Sequence, residues 1–238
     1  MRSFLEAVEH RRSVYTIAPE SPVPDAEIIK MIERLVLAVP SAYNSQSARV
    51  VLLFGASHTK LWSIVMETLR AHVPPEKFGP TEAKITGFAN GYATVLYFDD
   101  FAVTESFAEQ FPRYRENFRP WAEQANGMLQ FAVWTALEDA GFGANLQHYN
   151  PIIDDEVKQA FSLPDSWRLI AQDAVRHADC GCPLGGKNPV RERMRVVQGN
   201  SFSFSKKTGD RDGYIIPSPI MEYVLSRPDN EYVVFAAV

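Results

Sequence analysis

The chain has 238 residues, 46 % of them apolar and 22 % charged, which fits a globular protein with one sizeable core. Its 24 basic residues against 29 acidic ones leave a net charge of −5, which argues against a nucleic-acid partner. No run reaches the roughly 20 apolar residues that span a bilayer. Met1 to His10 lacks the apolar stretch of a secretory signal, and Cys180 and Cys182 stand too close together to staple a fold. A cytoplasmic protein without membrane or metal attachment is therefore expected.

Ser3-Phe4-Leu5-Glu6 fits a capping box, which starts a helix directing Phe4, Leu5 and Val8 to the core and running into Arg11-Arg12-Ser13. Pro24 suits a first helical position, with Asp25 and Glu27 favourable to the helix dipole. Ile28, Ile32, Leu35, Val36 and Val39 follow at helical spacing until Pro40 stops the run. Arg49 to Phe54 reads as a strand buried on both faces, Leu61 to Leu69 as a helix, and Thr94 to Phe98 as a second strand. Ala122 to Ala140 is a long apolar helix closed by Gly141, Asp154 to Phe161 a short helix, and Trp167 to Ala171 a third strand. Strands separated by helices, with few tight hairpin signals, predict a sheet layered with helices.

Two segments carry candidate chemistry. Arg11, Arg12 and Ser13 could grip a phosphate through charge-assisted hydrogen bonds, or form a solvated basic helix end. The loop Pro40-Ser41-Ala42-Tyr43-Asn44-Ser45-Gln46 could offer amide and backbone hydrogen bonds to a planar heterocycle, or serve as a connecting turn. Phe111, Tyr114, Phe118 and Trp121 recur at helical spacing, as core or as a lid over planar acceptors. Their interleaving with Arg113, Arg115 and Arg119 favours partial exposure.

Taken in order, these two segments resemble the nitroreductase family of flavoproteins. Two later stretches, Phe118-Arg119-Pro120-Trp121-Ala122-Glu123-Gln124-Ala125 and Asn145-Leu146-Gln147-His148-Tyr149-Asn150-Pro151, look like its subgroup of bacterial and fungal members. The resemblance runs from about Phe4 to Gln172. It implies an α+β fold with a mixed, mainly antiparallel sheet flanked by helices, and a homodimer with FMN at the subunit interface. It also implies NAD(P)H as electron donor and nitroaromatic, quinone or similar small molecules as acceptors, in a ping-pong cycle. On matching positions, Arg11, Arg12 and Ser13 would hold the flavin phosphate and ribityl chain. Ser41, Asn44 and Gln46 would line the ring, with Lys84 at its pyrimidine side and backbone of Gln147 and His148 at its N5 edge. Arg193 and Arg195 would add charge at the phosphate, and Tyr43 joins the four aromatics as acceptor lining. His148 is also a candidate proton donor. A flavin-binding redox or lipid-responsive regulator with little turnover is the alternative.

The resemblance breaks after Gln172. Family members usually continue Met-Pro-Phe-Gly, whereas this chain reads Asp173-Ala174-Val175-Arg176-His177. Codons for those five residues, read one nucleotide later, can give Met-Pro-Phe-Gly. A local frameshift between Asp173 and Lys187 accounts for the change, and makes Cys180-Gly181-Cys182 an accident. The family-like domain then covers residues 1–197. Residues 198–238 form an atypical extension, either a dimer-wrapping arm or read-through.

Overall fold

The computed structural model describes residues 2–14, 21–177 and 193–194. The fold lies in the first of two compact units, Met1–Leu184; of the second, Gly185–Ala236, only Arg193 and Met194 are described, both exposed. Cys180, Cys182, Arg195, the 198–238 extension and most of the frameshift segment lie outside the described residues.

Seven α-helices and four strands make up the described fold. Helix α1 (Phe4–His10) starts at Ser3, whose hydroxyl accepts from the Glu6 amide while the Glu6 carboxylate accepts from the Ser3 amide. Such a cap contributes about 1 kcal/mol. Ala7 is its buried residue; Phe4 and Leu5, expected in the core, are 72 % and 63 % exposed. A two-turn helix docks by one narrow stripe, and here that stripe is the Ala7 side.

Helix α2 (Asp25–Ala38) begins one residue after Pro24 and buries Ile28 and Ile32. A short turn leads into β1 (Ala48–Phe54), followed by α3 (Gly55–His72) and α4 (Phe78–Ala89). Next come β2 (Ala93–Asp100), α5 (Phe101–Gln110) and the long α6 (Arg115–Asp139). Helix α6 starts well before Ala122, because Pro120 sits exposed in its second turn and removes only one backbone bond there. It closes where Gly141 takes a φ of 90°. Strand β3 (Phe142–Gln147), helix α7 (Asp154–Phe161) and strand β4 (Trp167–His177) complete the order.

The strands form one sheet in the order β1-β2-β4-β3, and every neighbouring pair is antiparallel. Ser13 adds a single parallel bridge to Ala144 on the outer side of β3. Strand β1 is therefore an edge strand. Most of it is half-buried rather than covered on both faces, since its outer side lacks a neighbour among the described strands.

Alternation along β2 divides the core in two. Leu96 and Phe98 face Leu61, Trp62, Val65, Ile85, Phe88 and Val157 of α3, α4 and α7. Ala93, Val95 and Tyr97 face Ile28 and Ile32 of α2 and Leu129, Val133 and Leu137 of α6. In β4 the parity changes at Ile170, an extra residue between the Tyr97–Ala171 and Phe98–Leu169 pairs. This bulge puts Leu169 on the α3 side and Ala171 on the α6 side. Asn126 of α6, fully buried, donates to the Phe98 carbonyl beside the bulge at 2.9 Å and accepts from Gln130 at 2.7 Å. Asp173, Ala174 and Val175 continue β4 in register with β2 and β3, and all three are buried.

Candidate functional site

Residues 11–13 leave α1 and run along the outer side of β3. The Val14 amide donates to the Ala144 carbonyl at 3.1 Å, and Asn145 donates back to the Val14 carbonyl at 3.5 Å. Gly143 makes this approach possible: a Cβ there would lie 2.5 Å from the Val14 side chain. Arg11 is half-buried, its guanidinium 4.0 Å over the Trp134 ring. Burial pushes its pKa down, the Arg12 charge adds to that, and Glu138 and Asp173 oppose it. Arg12 donates to the carbonyls of Glu9 and Arg11, at 2.5 and 2.6 Å, so it closes over the helix end. Ser13 is exposed between Arg12 and the sheet.

Downstream, β3 delivers Gln147 and His148. Gln147 donates to Asn145 and to the Leu146 carbonyl, while the Tyr149 amide donates to the buried Gln172 at 2.8 Å. His148 is exposed. Lys84 of α4 stands over the rings of Phe88 and Tyr149, at 5.6 and 5.9 Å. Arg11, Arg12, Ser13, Lys84, Gln147 and His148 thus come from the β3 side of the sheet and the elements beside it.

Ser41, Tyr43, Asn44 and Gln46 belong to the other edge, where they enter β1. Three non-glycine residues here adopt left-handed backbone: Tyr43 (φ 56°), Asn44 (φ 50°) and Gln46 (φ 50°). Each left-handed residue costs about 1–2 kcal/mol, somewhat less for asparagine. Ser41 Oγ holds the loop by accepting from the Gln46 amide at 2.9 Å. Arg49 holds its exit by donating to the Gln46 carbonyl at 2.6 Å and pairing with Asp100 at 3.1 Å. The strained backbone leaves Asn44 and Gln46 exposed.

Tyr43 is gathered into an aromatic cluster. Its ring stacks on Trp121 at 5.8 Å and meets Phe111, Tyr114 and Phe118 at 4.9, 6.0 and 5.4 Å. These four do not share one helix: Phe118 and Trp121 lie on α6, while Phe111 precedes and Tyr114 ends the 3-10 turn before it. Phe118 is core, and Phe111 and Tyr43 are 37 % and 43 % exposed. The core reading of the aromatic set holds for Phe118, and Phe111 is partly exposed.

The two groups of site residues do not meet within one chain. From residue 13 to β1 is four strand spacings, or about 19 Å across the sheet. Ala144 is level with Phe54 through the strand pairing, so residues 46–48 are offset by a further ~20 Å along it. Sequence reasoning passed over Arg49, Trp134 and Glu138. A glutamate inside an apolar helix run was the available signal for Glu138.

The four-stranded antiparallel sheet, the helices on both its faces and the two polar turns at opposite edges define an α+β fold of the nitroreductase type. The Nitroreductase family model matches residues 8–175, and the chain belongs to that family. It is 32 % identical over 196 residues to the putative nitroreductase HBN1 of Saccharomyces cerevisiae, covering 82 % of this chain and 96 % of that one. Nitroreductase CinD from Lactococcus lactis, in complex with nicotinic acid, superposes with a TM-score of 0.77 at 36 % identity, over 82 % of this chain and all of that one. CinD has also been solved with chloramphenicol and with 4-nitrophenol. A Desulfitobacterium hafniense nitroreductase with bound FMN shares the fold at 15 % identity and a TM-score of 0.62, over 83 % of this chain and 100 % of that one. Family membership makes the protein an oxidoreductase. Among the described residues no helix is long and apolar enough to cross a membrane, and no cluster of three metal-ligating side chains occurs.

Proposed function

We propose that the protein is an FMN-dependent oxidoreductase that passes hydride from NAD(P)H to nitroaromatic, quinone or similar small acceptors. The observation that carries this reading is the separation of the two site halves. They lie farther apart in one chain than a flavin mononucleotide extends, yet each has the chemistry one end of that cofactor needs. A two-fold homodimer would bring one chain's β3-side group against the partner's β1-side loop, generating two equal composite sites.

The residues fit the cofactor. Arg12 and the exposed Ser13 hydroxyl suit a phosphate, with Arg11 behind them. Exposed Asn44 and Gln46 suit the carbonyls and ring nitrogens of the isoalloxazine. Lys84 would add positive charge at the pyrimidine side, and backbone at Gln147 and His148 would reach the N5 edge. Bound there, FMN would supply the hydride chemistry between NAD(P)H and an acceptor. The chain's own part is to fix that ring, exclude water, and present Tyr43, Phe111, Tyr114 and Trp121 as an aromatic wall for flat acceptors. His148 is exposed, and beside the N5 edge it would be able to deliver a proton to an acceptor. The ligands in the CinD structures, a nitrophenol and a nicotinic acid among them, support flat aromatic acceptors here.

The test is the absorbance spectrum of the full-length protein, followed by NADPH and NADH oxidation with 4-nitrophenol or a quinone. A yellow protein that turns over both classes of acceptor is expected. Bound flavin without turnover would replace the enzyme with a flavin-binding regulator. A protein that takes up no FMN overturns both.

A further inference from the structure

Helix α6 does more at its C-terminal end than pack against the sheet. Trp134 and Glu138 are one turn apart and share a face. Glu138 is only 4 % exposed, and its Oε1 accepts from His10 Nδ1 at 2.6 Å. Trp134 presents its ring to the Arg11 guanidinium at 4.0 Å. Two successive residues at the end of α1 are thus seated on two successive turns of α6. The attachment continues beyond them: the Arg11 amide caps α1 on the Ala7 carbonyl at 2.9 Å, and Val14 is pinned to β3 at 3.1 Å. Between these fixed points lie only Arg12 and Ser13.

Burying a carboxylate and half-burying a guanidinium on the same spot is costly unless the two offset each other. Glu138 and Asp173, the latter fully buried in β4, both act on Arg11 with favourable charge. A polar pair in such a place does little for stability compared with an apolar pair. It does hold one conformation of the turn that follows.

We propose that Trp134 and Glu138 are positioning residues for the phosphate-binding turn, holding His10 and Arg11 so that Arg12 and Ser13 are presented in one fixed arrangement. The inference rests on the flavin reading above for the identity of the anion. Neither residue needs to touch the ligand: Glu138 acts through His10, and Trp134 through Arg11.

The experiment uses the full chain and four variants: Trp134→Leu, Trp134→Phe, Glu138→Ala and Glu138→Gln. Two quantities are read. The first is amide hydrogen exchange at Arg11 and Val14 in flavin-free protein, with Val95 to Phe98 of β2 as internal control. The second is affinity for FMN against riboflavin, which lacks the phosphate. Trp134→Leu and Glu138→Ala are expected to speed exchange at Arg11 and Val14 by about tenfold or more with β2 unchanged. They are expected to weaken FMN by about tenfold and leave riboflavin where it was. Trp134→Phe keeps an aromatic face and Glu138→Gln keeps an acceptor for His10, so each restores most of both. Unchanged exchange at Arg11 and Val14 overturns the proposal, as does equal weakening of FMN and riboflavin. If the unsubstituted protein does not prefer FMN over riboflavin, the phosphate assignment falls, and the exchange measurement alone decides the positioning role.

Discussion

The turn at residues 11–13 and the loop at residues 40–46 lie against opposite ends of α6 and are stabilised in different ways. The first is held from outside: α6 takes Arg11 on Trp134, and β3 takes Val14 through Ala144. The second is held mostly from within, by Ser41 bonding Gln46 and by Arg49 at the exit, and it carries three left-handed residues. Its outside support is a set of rings packed on Tyr43, where each aromatic pair contributes about 0.5–1.5 kcal/mol. On the proposed function, a turn presenting a charged cradle would benefit from rigid neighbours, and a loop lining an acceptor site would be held by contacts that a flat ligand could share. The contrast says which half should tolerate change and which should not.

The largest expected effect concerns whether the halves belong to one site at all. A chain carrying Arg12→Ala and Ser13→Ala, and another carrying Asn44→Ala and Gln46→Ala, should each fail to bind FMN as homodimers. A mixed dimer purified on two different tags should bind one flavin. One of its two composite sites draws the intact turn from one chain and the intact loop from the other. Absence of flavin from the mixed dimer would remove the composite site and with it the division of labour above.

A second pair of changes separates outside support from self-support. Gly143→Ala places a methyl group 2.5 Å from the Val14 side chain, so β3 and the turn must move apart. The expected loss is about 1–3 kcal/mol of stability, with weaker FMN binding alongside it. At Gln46, where φ is 50°, valine should cost about 1–2 kcal/mol, while glycine should be neutral or mildly stabilising. Urea midpoints read both. A Gly143→Ala protein as stable as the parent, or a glycine at 46 as harmful as valine, would contradict the contrast.

Much of this architecture was legible in the sequence because the signals were local. The capping box at Ser3 and Glu6, the helix after Pro24 and the acidic start of α7 are all where their residues put them. What was missed depended on partners far along the chain. Strand β3 contains Gly143, Ala144 and Asn145, poor strand formers that are extended because β4 pairs with them. Helix α4 holds Gly79, Pro80 and Gly87, and its signal is weak without Ile85 and Phe88 in the core. Strand β1 reads as fully buried because Val50 to Phe54 is apolar throughout, and only the strand order reveals it as an edge. The candidate site residues stand in the sequence one turn at a time, as short motifs. Their distribution over two sheet edges, and the seating of Arg11 on α6, are facts of topology. The expected frameshift is a separate matter, and it lies either in the gene or in the record of its sequence: a peptide mass over residues 169–187 that departs from this sequence puts the shift in the record, and one that matches rules a recording error out.

The smallest expected effect lies at the rim of the outside-supported half, just beyond Tyr149. Asp154 opens α7, a position that ordinarily favours a negative charge. Burial nevertheless pushes its pKa up from 3.8 to about 6, with Lys158 pulling the other way and Asp155 adding to the rise. Its Oδ1 is buried without a hydrogen-bond partner among the described residues. For a carboxyl raised in the folded state, the favourable contribution is complete below pH 3.8 and is lost as pH climbs through about 6. At neutral pH the folded protein therefore holds an anion it would rather protonate. Asp154→Asn should raise thermal stability at pH 7.5 by about 1 kcal/mol or less, since solvent still screens much of this charge. The gain should shrink as pH falls below 6 and vanish near 4. A gain that is the same at both pH values would mean that the substitution acts through packing at the start of α7. Burial of the charge would then have no part in how the segment after Tyr149 is held.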